Sequence, residues 1–203
     1  MKNPVFPRLA AMVLASAALL SAGWPQTAFS LDASVAAIQN YDDRLILAMK
    51  QAAGSSAQMR YQRLAPILAS AFDFATMTRL VVGPSWNSAS PGQQAAMREA
   101  FARFMGAYYA NRIEGYSGER FEVDPNAETR GAQKIVKTRL ISGSGGTQIN
   151  YLMSASRVVD IYLDGSISEI AARRSEFAGI LGNGGPDALV KALQDRTAKL
   201  LGG

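Results

Sequence analysis

The chain has 203 residues, with 21 Lys and Arg against 16 Asp and Glu, and neither His nor Cys. The missing residue types exclude a Cys or Cys/His zinc site, a Cys nucleophile, a Ser-His-Asp triad and any disulfide, so the fold rests on its core alone. About 48% of the residues are hydrophobic and only 18% are charged, which is lean in charge for a soluble domain.

The first thirty residues read as a leader. Lys2 and Arg8 form a short basic segment, Leu9 to Leu20 is an apolar run, and Ala28-Phe29-Ser30 places small residues at a cleavage site before Leu31. The run is shorter than the roughly 20 residues a membrane-spanning helix needs. A cleaved export signal over 1–30 is therefore expected, followed by one domain over 31–203. Lys2 and Arg8 leave with the leader and no acidic residue does, so the net charge of +5 falls to +3. That excess is too mild for a nucleic-acid-binding surface.

From Ala33 to Ala53, Val35, Ile38, Leu45, Ile46 and Met49 fall near helical spacing, and Gly54-Ser55-Ser56 breaks the pattern. Tyr61, Leu64, Ala65, Leu68, Ala71 and Phe72 predict a helix over about 58–71, kinked or split by Pro66. Asp73 is placed to cap a short helix through Met77, Leu80 and Val81 that stops at Gly83-Pro84. Ser90-Pro91-Gly92-Gln93 has the residues of a capping box with Pro at the first helical position. The helix behind it carries Met97, Phe101, Phe104, Met105, Tyr108 and Tyr109 and is expected to reach about Tyr116.

The period then changes to two. Phe121 and Val123, then Val136, Thr138 and Leu140, then Ile149, Tyr151 and Met153 alternate with polar or opposite-facing neighbours, with Ser142 to Gly146 as a hairpin turn. A fourth strand runs from Val158 to Leu163. Ser168-Glu169 opens a helix through Phe177 and Leu181, Gly182-Asn183-Gly184-Gly185 ends it, and Pro186 opens the last helix. Helices, then a meander of about four antiparallel strands, then helices define an α+β protein.

Catalytic candidates are few. Asp160 lies mid-strand, and with Tyr108 or Tyr151 it could abstract a proton beside a carbonyl in isomerase fashion. The plainer reading is a buried acid paired to Arg173 or Arg174. Gly182 to Gly185 has neither a strand before it nor a following Lys-Ser or Lys-Thr, so it cradles no phosphate. Asp42-Asp43 does not match a calcium loop. No metal or cofactor is implied, and no enzyme is indicated. The Met and aromatic residues (Met97, Met105, Met153, Phe101, Phe104) instead suit a non-directional ligand such as an acyl chain or a polycyclic hydrocarbon.

Five passages, in order, resemble the MlaC family of periplasmic lipid carriers, also called toluene-tolerance proteins. They are Phe72 to Arg79 with Val82-Gly83-Pro84-Ser85-Trp86; Ser90 to Gln94 leading into Phe101 and Phe104; Tyr108 to Ile113; Val158 to Gly165; and Ser166 to Phe177. The last run is most similar to the hopanoid-associated branch (HpnM). The family usually has a Trp just before the strand that holds the Asp, and Ser154-Ala155-Ser156 stands there instead.

The resemblance implies a curved sheet covered by helices, an apolar cavity between the layers, and a lipid, hopanoid or phospholipid, shuttled across the periplasm. Its implied partners are an inner-membrane lipid transporter and an outer-membrane lipid complex. Hiding a lipid tail from water is worth roughly 0.8 kcal/mol per CH2, which explains why such cargo needs a dry site. On this reading Val136, Leu140, Ile149, Tyr151, Met153, Ile161 and Leu163 supply the sheet wall, and Phe101, Phe104, Met105 and Tyr108 the helical wall. Arg173 and Arg174 are candidates for a head group or a partner. A non-catalytic adaptor of a transport complex and an isomerase-like enzyme using Asp160 are the alternatives.

Overall fold

The computed structural model describes residues 31–113 and 115–202, so the expected export signal lies outside the described residues. Four helices come first among them: α1 (Ala33–Lys50), α2 (Ala57–Ala71), α3 (Phe74–Val82) and the single turn α4 (Ser85–Ser88). Each of the first three starts on a side chain that accepts a backbone N–H. Asp32 takes Ser34, Ser56 takes Met59, and Asp73 takes Thr76. Pro66 neither kinks α2 apart nor splits it. The helix runs through, because Leu64, Ile67 and Leu68 around it are all buried and their packing outweighs one lost backbone bond.

Helix α5 (Pro91–Ala110) opens with the complete capping box: Ser90 Oγ accepts from Gln93 N, and the Gln93 side chain accepts from Ser90 N. It ends at Ala110, short of the expected Tyr116. Arg60 Nε, reaching over from α2, donates to the Ala110 carbonyl at 2.8 Å and takes up an acceptor the helix leaves open. The two helices approach closely at Gly106, where a Cβ would lie 2.8 Å from the Tyr61 ring.

Six strands follow rather than four: β1 (Arg120–Val123), β2 (Glu128–Arg130), β3 (Gln133–Ser142), β4 (Gly145–Ser154), β5 (Arg157–Leu163) and β6 (Ile167–Ser168). They form one antiparallel sheet in the order β1-β3-β4-β5-β6, with β2 also on β3, and the sheet does not close. β1 and β2 lie along the same edge of β3, and the register sum steps by two between them. The hairpin predicted at Ser142 to Gly146 is a two-residue turn that pairs Ser142 with Gly145. Between β4 and β5 the register shifts at Leu152/Met153, a bulge that leaves Val159 as the extra residue.

The chain closes with α6 (Glu169–Leu200), a kinked helix broken where the sequence places its glycines. Gly185 sits at φ 67°, and Pro186 starts the second half. No helix among the described residues is long and apolar enough to cross a membrane.

Candidate functional site

The sheet has one apolar face, and the strand register fixes its membership. Val136 pairs with Tyr151, which pairs with Ile161; Thr138 pairs with Ile149, which pairs with Leu163. Met153 lies opposite Val158, and Leu140 lies between Thr147 and Phe121. All seven residues assigned to the sheet wall therefore share one face. Val136, Tyr151, Met153 and Ile161 are buried in the core, Ile149 and Leu163 pack against it half-buried, and Leu140 is half-exposed toward the sheet margin.

The sheet is met by α1, α2, α3 and α6, and α5 packs on α2, α3 and α6. From α5, Phe101, Phe104 and Met105 are buried, and Tyr108 is half-buried. Phe104 meets Phe177 of α6 edge-on at 6.1 Å, and Phe101 meets Phe74 of α3 at 6.3 Å. Both sets of side chains belong to one packed core rather than facing each other across the expected open cavity, because apolar side chains exclude water by meeting. One of several open grooves among the described residues, of about 630 Å³, lies between α1 and β1.

Several residues on this interlayer were not among the expected site residues. Phe72 joins the helices to the sheet: it bridges to Val158, and its ring lies 5.4 Å from Tyr41 and 5.8 Å from Phe74. That contact packs the sheet end where Ser154, Ala155 and Ser156 stand in place of a Trp; Val158 and Met153 are both buried there. Tyr41 in turn meets Tyr151 edge-on at 5.9 Å.

Asp42, beside Tyr41, is 2% exposed and lines the α1–β1 groove at its inner end. Its Oδ1 lies 3.5 Å from the Tyr151 hydroxyl, a long hydrogen bond, while Oδ2 has no partner. Burial pushes this carboxyl up to about 8, against the Tyr151 hydrogen bond and with the Asp43 charge adding to the rise, so at neutral pH it is mostly protonated. Thr138, on the facing strand, is a second buried group whose Oγ1 has no partner. A signal for Asp42 was present in the sequence. Val35, Ile38, Asp42, Leu45 and Met49 follow helical spacing, so Asp42 stands within an apolar stripe and Asp43 off it.

The other polar candidates fall elsewhere. Asp160 is buried and pairs with neither Arg173 nor Arg174. Its Oδ2 accepts from Ser168 Oγ at 2.6 Å, and its Oδ1 accepts from the N–H groups of Ile161 and Ile170 at 2.8 and 3.1 Å. Asp160 therefore anchors the start of α6, where a helix N-terminus favours a carboxylate. Its cross-strand partner is Leu152, on the strand face opposite Tyr151, so the Asp160–tyrosine pair of the isomerase reading does not form. Replacing Asp160 by Ala should cost about 2–4 kcal/mol, from lost charge-assisted bonds and a lost helix anchor. Urea unfolding measures it, and a loss below about 1 kcal/mol would contradict the anchoring role.

Arg173 binds Glu169 and Glu176, both at 2.7 Å, and its guanidinium lies 4.3 Å from the centre of the Tyr108 ring. Arg112 covers the same ring at 4.2 Å. Arg173 is thus already neutralised within the protein. Arg174 is exposed and lies over Gly83. Among the described residues no cluster of His, Cys, Asp and Glu could hold a metal ion.

An open antiparallel sheet with one apolar face, roofed by helices from both ends of the chain, defines an α+β protein of the helix-covered open-sheet kind. Residues 39–195 match the family described as MlaC protein, and the chain belongs to that family. Among solved structures it is similar to a phospholipid-binding protein from Ralstonia solanacearum, determined in complex with a phospholipid. The TM-score is 0.73 at 21% identity, over 82% of this chain and 98% of that one. No curated protein matches the chain significantly.

Proposed function

We propose that the protein is a periplasmic lipid carrier. A leader over residues 1–30 directs its export, and the domain from Leu31 shields a lipid's apolar body between the sheet and the helices. The observation that carries this reading is the interlayer itself: an extended apolar face on an unclosed sheet, met by aromatic and Met side chains, with an open groove at its margin. Met97, Met105 and Met153 are unbranched and adapt their shape, which suits a wall that parts around a chain and closes again. Family membership and the phospholipid held by the similar Ralstonia protein support the same reading.

The cargo, a phospholipid or a hopanoid, passes between an inner-membrane lipid transporter and an outer-membrane lipid complex. No catalytic step is required, and Asp160, the acid of the isomerase alternative, already serves α6. Native mass spectrometry of the protein recovered from the periplasm, followed by extraction, tests the proposal. One stoichiometric lipid per chain is the expected result. A protein that is empty and takes up no lipid from vesicles would overturn the proposal in favour of an adaptor.

A further inference from the structure

The groove between α1 and β1 combines three properties that belong together only for an amphiphile. At its inner end stands the Asp42 carboxyl, 2% exposed, with Oδ2 lacking any partner. Its rim carries Leu47 and Tyr116, large apolar side chains left 56% and 38% exposed. The same rim carries charges of both signs, Lys50 and Arg120 against Asp43 and Glu119.

Resting on the carrier reading above, we infer that this groove is the port to the interlayer and seats the ester–phosphate junction of a zwitterionic diacyl phospholipid, with the Asp42 carboxyl hydrogen-bonded to an ester carbonyl. A buried carboxyl oxygen without a partner is costly, and a protonated carboxyl is satisfied by an acceptor. An ester carbonyl supplies that acceptor at the depth where the acyl chains begin. A pure hydrocarbon body supplies none.

The rim then meets the head group. Lys50 makes no ion pair among the described residues, and its Nζ lies 5.0 Å from the centre of the Tyr116 ring, so its charge is available to a phosphate. Arg120 is held 2.9 Å from Glu122 and is the weaker cation. Asp43 and Glu119 suit an ammonium group and oppose a purely anionic head. Leu47 and Tyr116 give the groove an apolar lip that can meet the acyl region of a bilayer while the chains transfer.

The test is lipid uptake from vesicles of phosphatidylethanolamine, of phosphatidylglycerol, and of phosphatidylethanolamine doped with a hopanoid. Bound lipid per chain is read by native mass spectrometry, and folding by circular dichroism. Wild type should load phosphatidylethanolamine in preference. Asp42→Leu and Lys50→Glu should load it about tenfold less, equivalent to about 1.4 kcal/mol. Asp42→Asn, which keeps a donor, should recover part of the loading that Asp42→Leu loses, and Lys199→Glu, the same charge change on exposed α6, should load as wild type. The inference fails if folded Asp42→Leu and Lys50→Glu both load normally, or if hopanoid is preferred and Lys50→Glu has no effect. A wild-type protein that loads nothing from any vesicle refutes the carrier reading itself.

Discussion

Replacing Phe72 by Ala should destabilise the protein by about 3–5 kcal/mol, the cost of deleting a large, fully buried aromatic side chain. Three connections meet at this residue. Its ring contacts Tyr41 of α1 and Phe74 of α3, and its backbone bridges to Val158. Its carbonyl also accepts from the Arg157 guanidinium, and the next N–H, that of Asp73, donates to the Val158 carbonyl at 2.9 Å. Removing the ring leaves a void bounded by rigid elements, so little relaxation can recover the loss. Against a total stability of about 5–15 kcal/mol, this removes a large share. Urea unfolding with an unchanged slope measures it, and a loss under about 1 kcal/mol would show that Phe72 does not join the layers.

The second large effect is a dependence of stability on pH that runs opposite to ordinary carboxylates. Asp42 has its folded-state pKa raised to about 8 from an ordinary 3.8. The native state therefore holds this proton more tightly than the unfolded chain does. Its contribution is fully present below about pH 4 and is lost as pH rises toward 8, with a slope of at most about 1.4 kcal/mol per unit. Asp32, Asp73 and Glu119 are lowered and lose their contribution only as pH falls below about 4, so the interval from pH 5 to 8 isolates Asp42. Wild type should lose on the order of 3 kcal/mol across that interval, and Asp42→Asn should stay nearly flat. Equal slopes for the two proteins would place the titration elsewhere.

Much of the architecture was legible because local chemistry and tertiary packing agree. Asp73, Ser90 with Gln93, and Gly185-Pro186 mark helix ends by side-chain and backbone geometry alone, and each acts as its position suggests. The alternation in β3 and β4 marks their apolar face, since a period of two leaves only one face to bury, whereas β5 is buried on both sides of its bulge and shows no such period. The misses came where distant contacts decide. Pro66 is tolerated because of what α2 packs against, and α5 stops where Arg60 meets it from α2. β2 and β6, three and two residues long, carry too few positions to show a period. At the candidate site the walls were readable as apolar stripes, and Asp42 showed only as an acid standing within one, while nothing local marked Phe72. Their importance comes from the partners that folding brings to them, Tyr151 from 109 residues away and Val158 from the far side of the sheet.

The sheet margins carry a further consequence. One edge is interrupted between β1 and β2 by a two-residue offset, and the other is the two-residue β6. Neither offers a continuous row of free backbone donors and acceptors on which a neighbouring chain could add a strand. On the carrier reading proposed above, parting the layers to exchange cargo would expose apolar side chains each time. On that reading, broken edges would keep such openings from seeding edge-to-edge polymerisation.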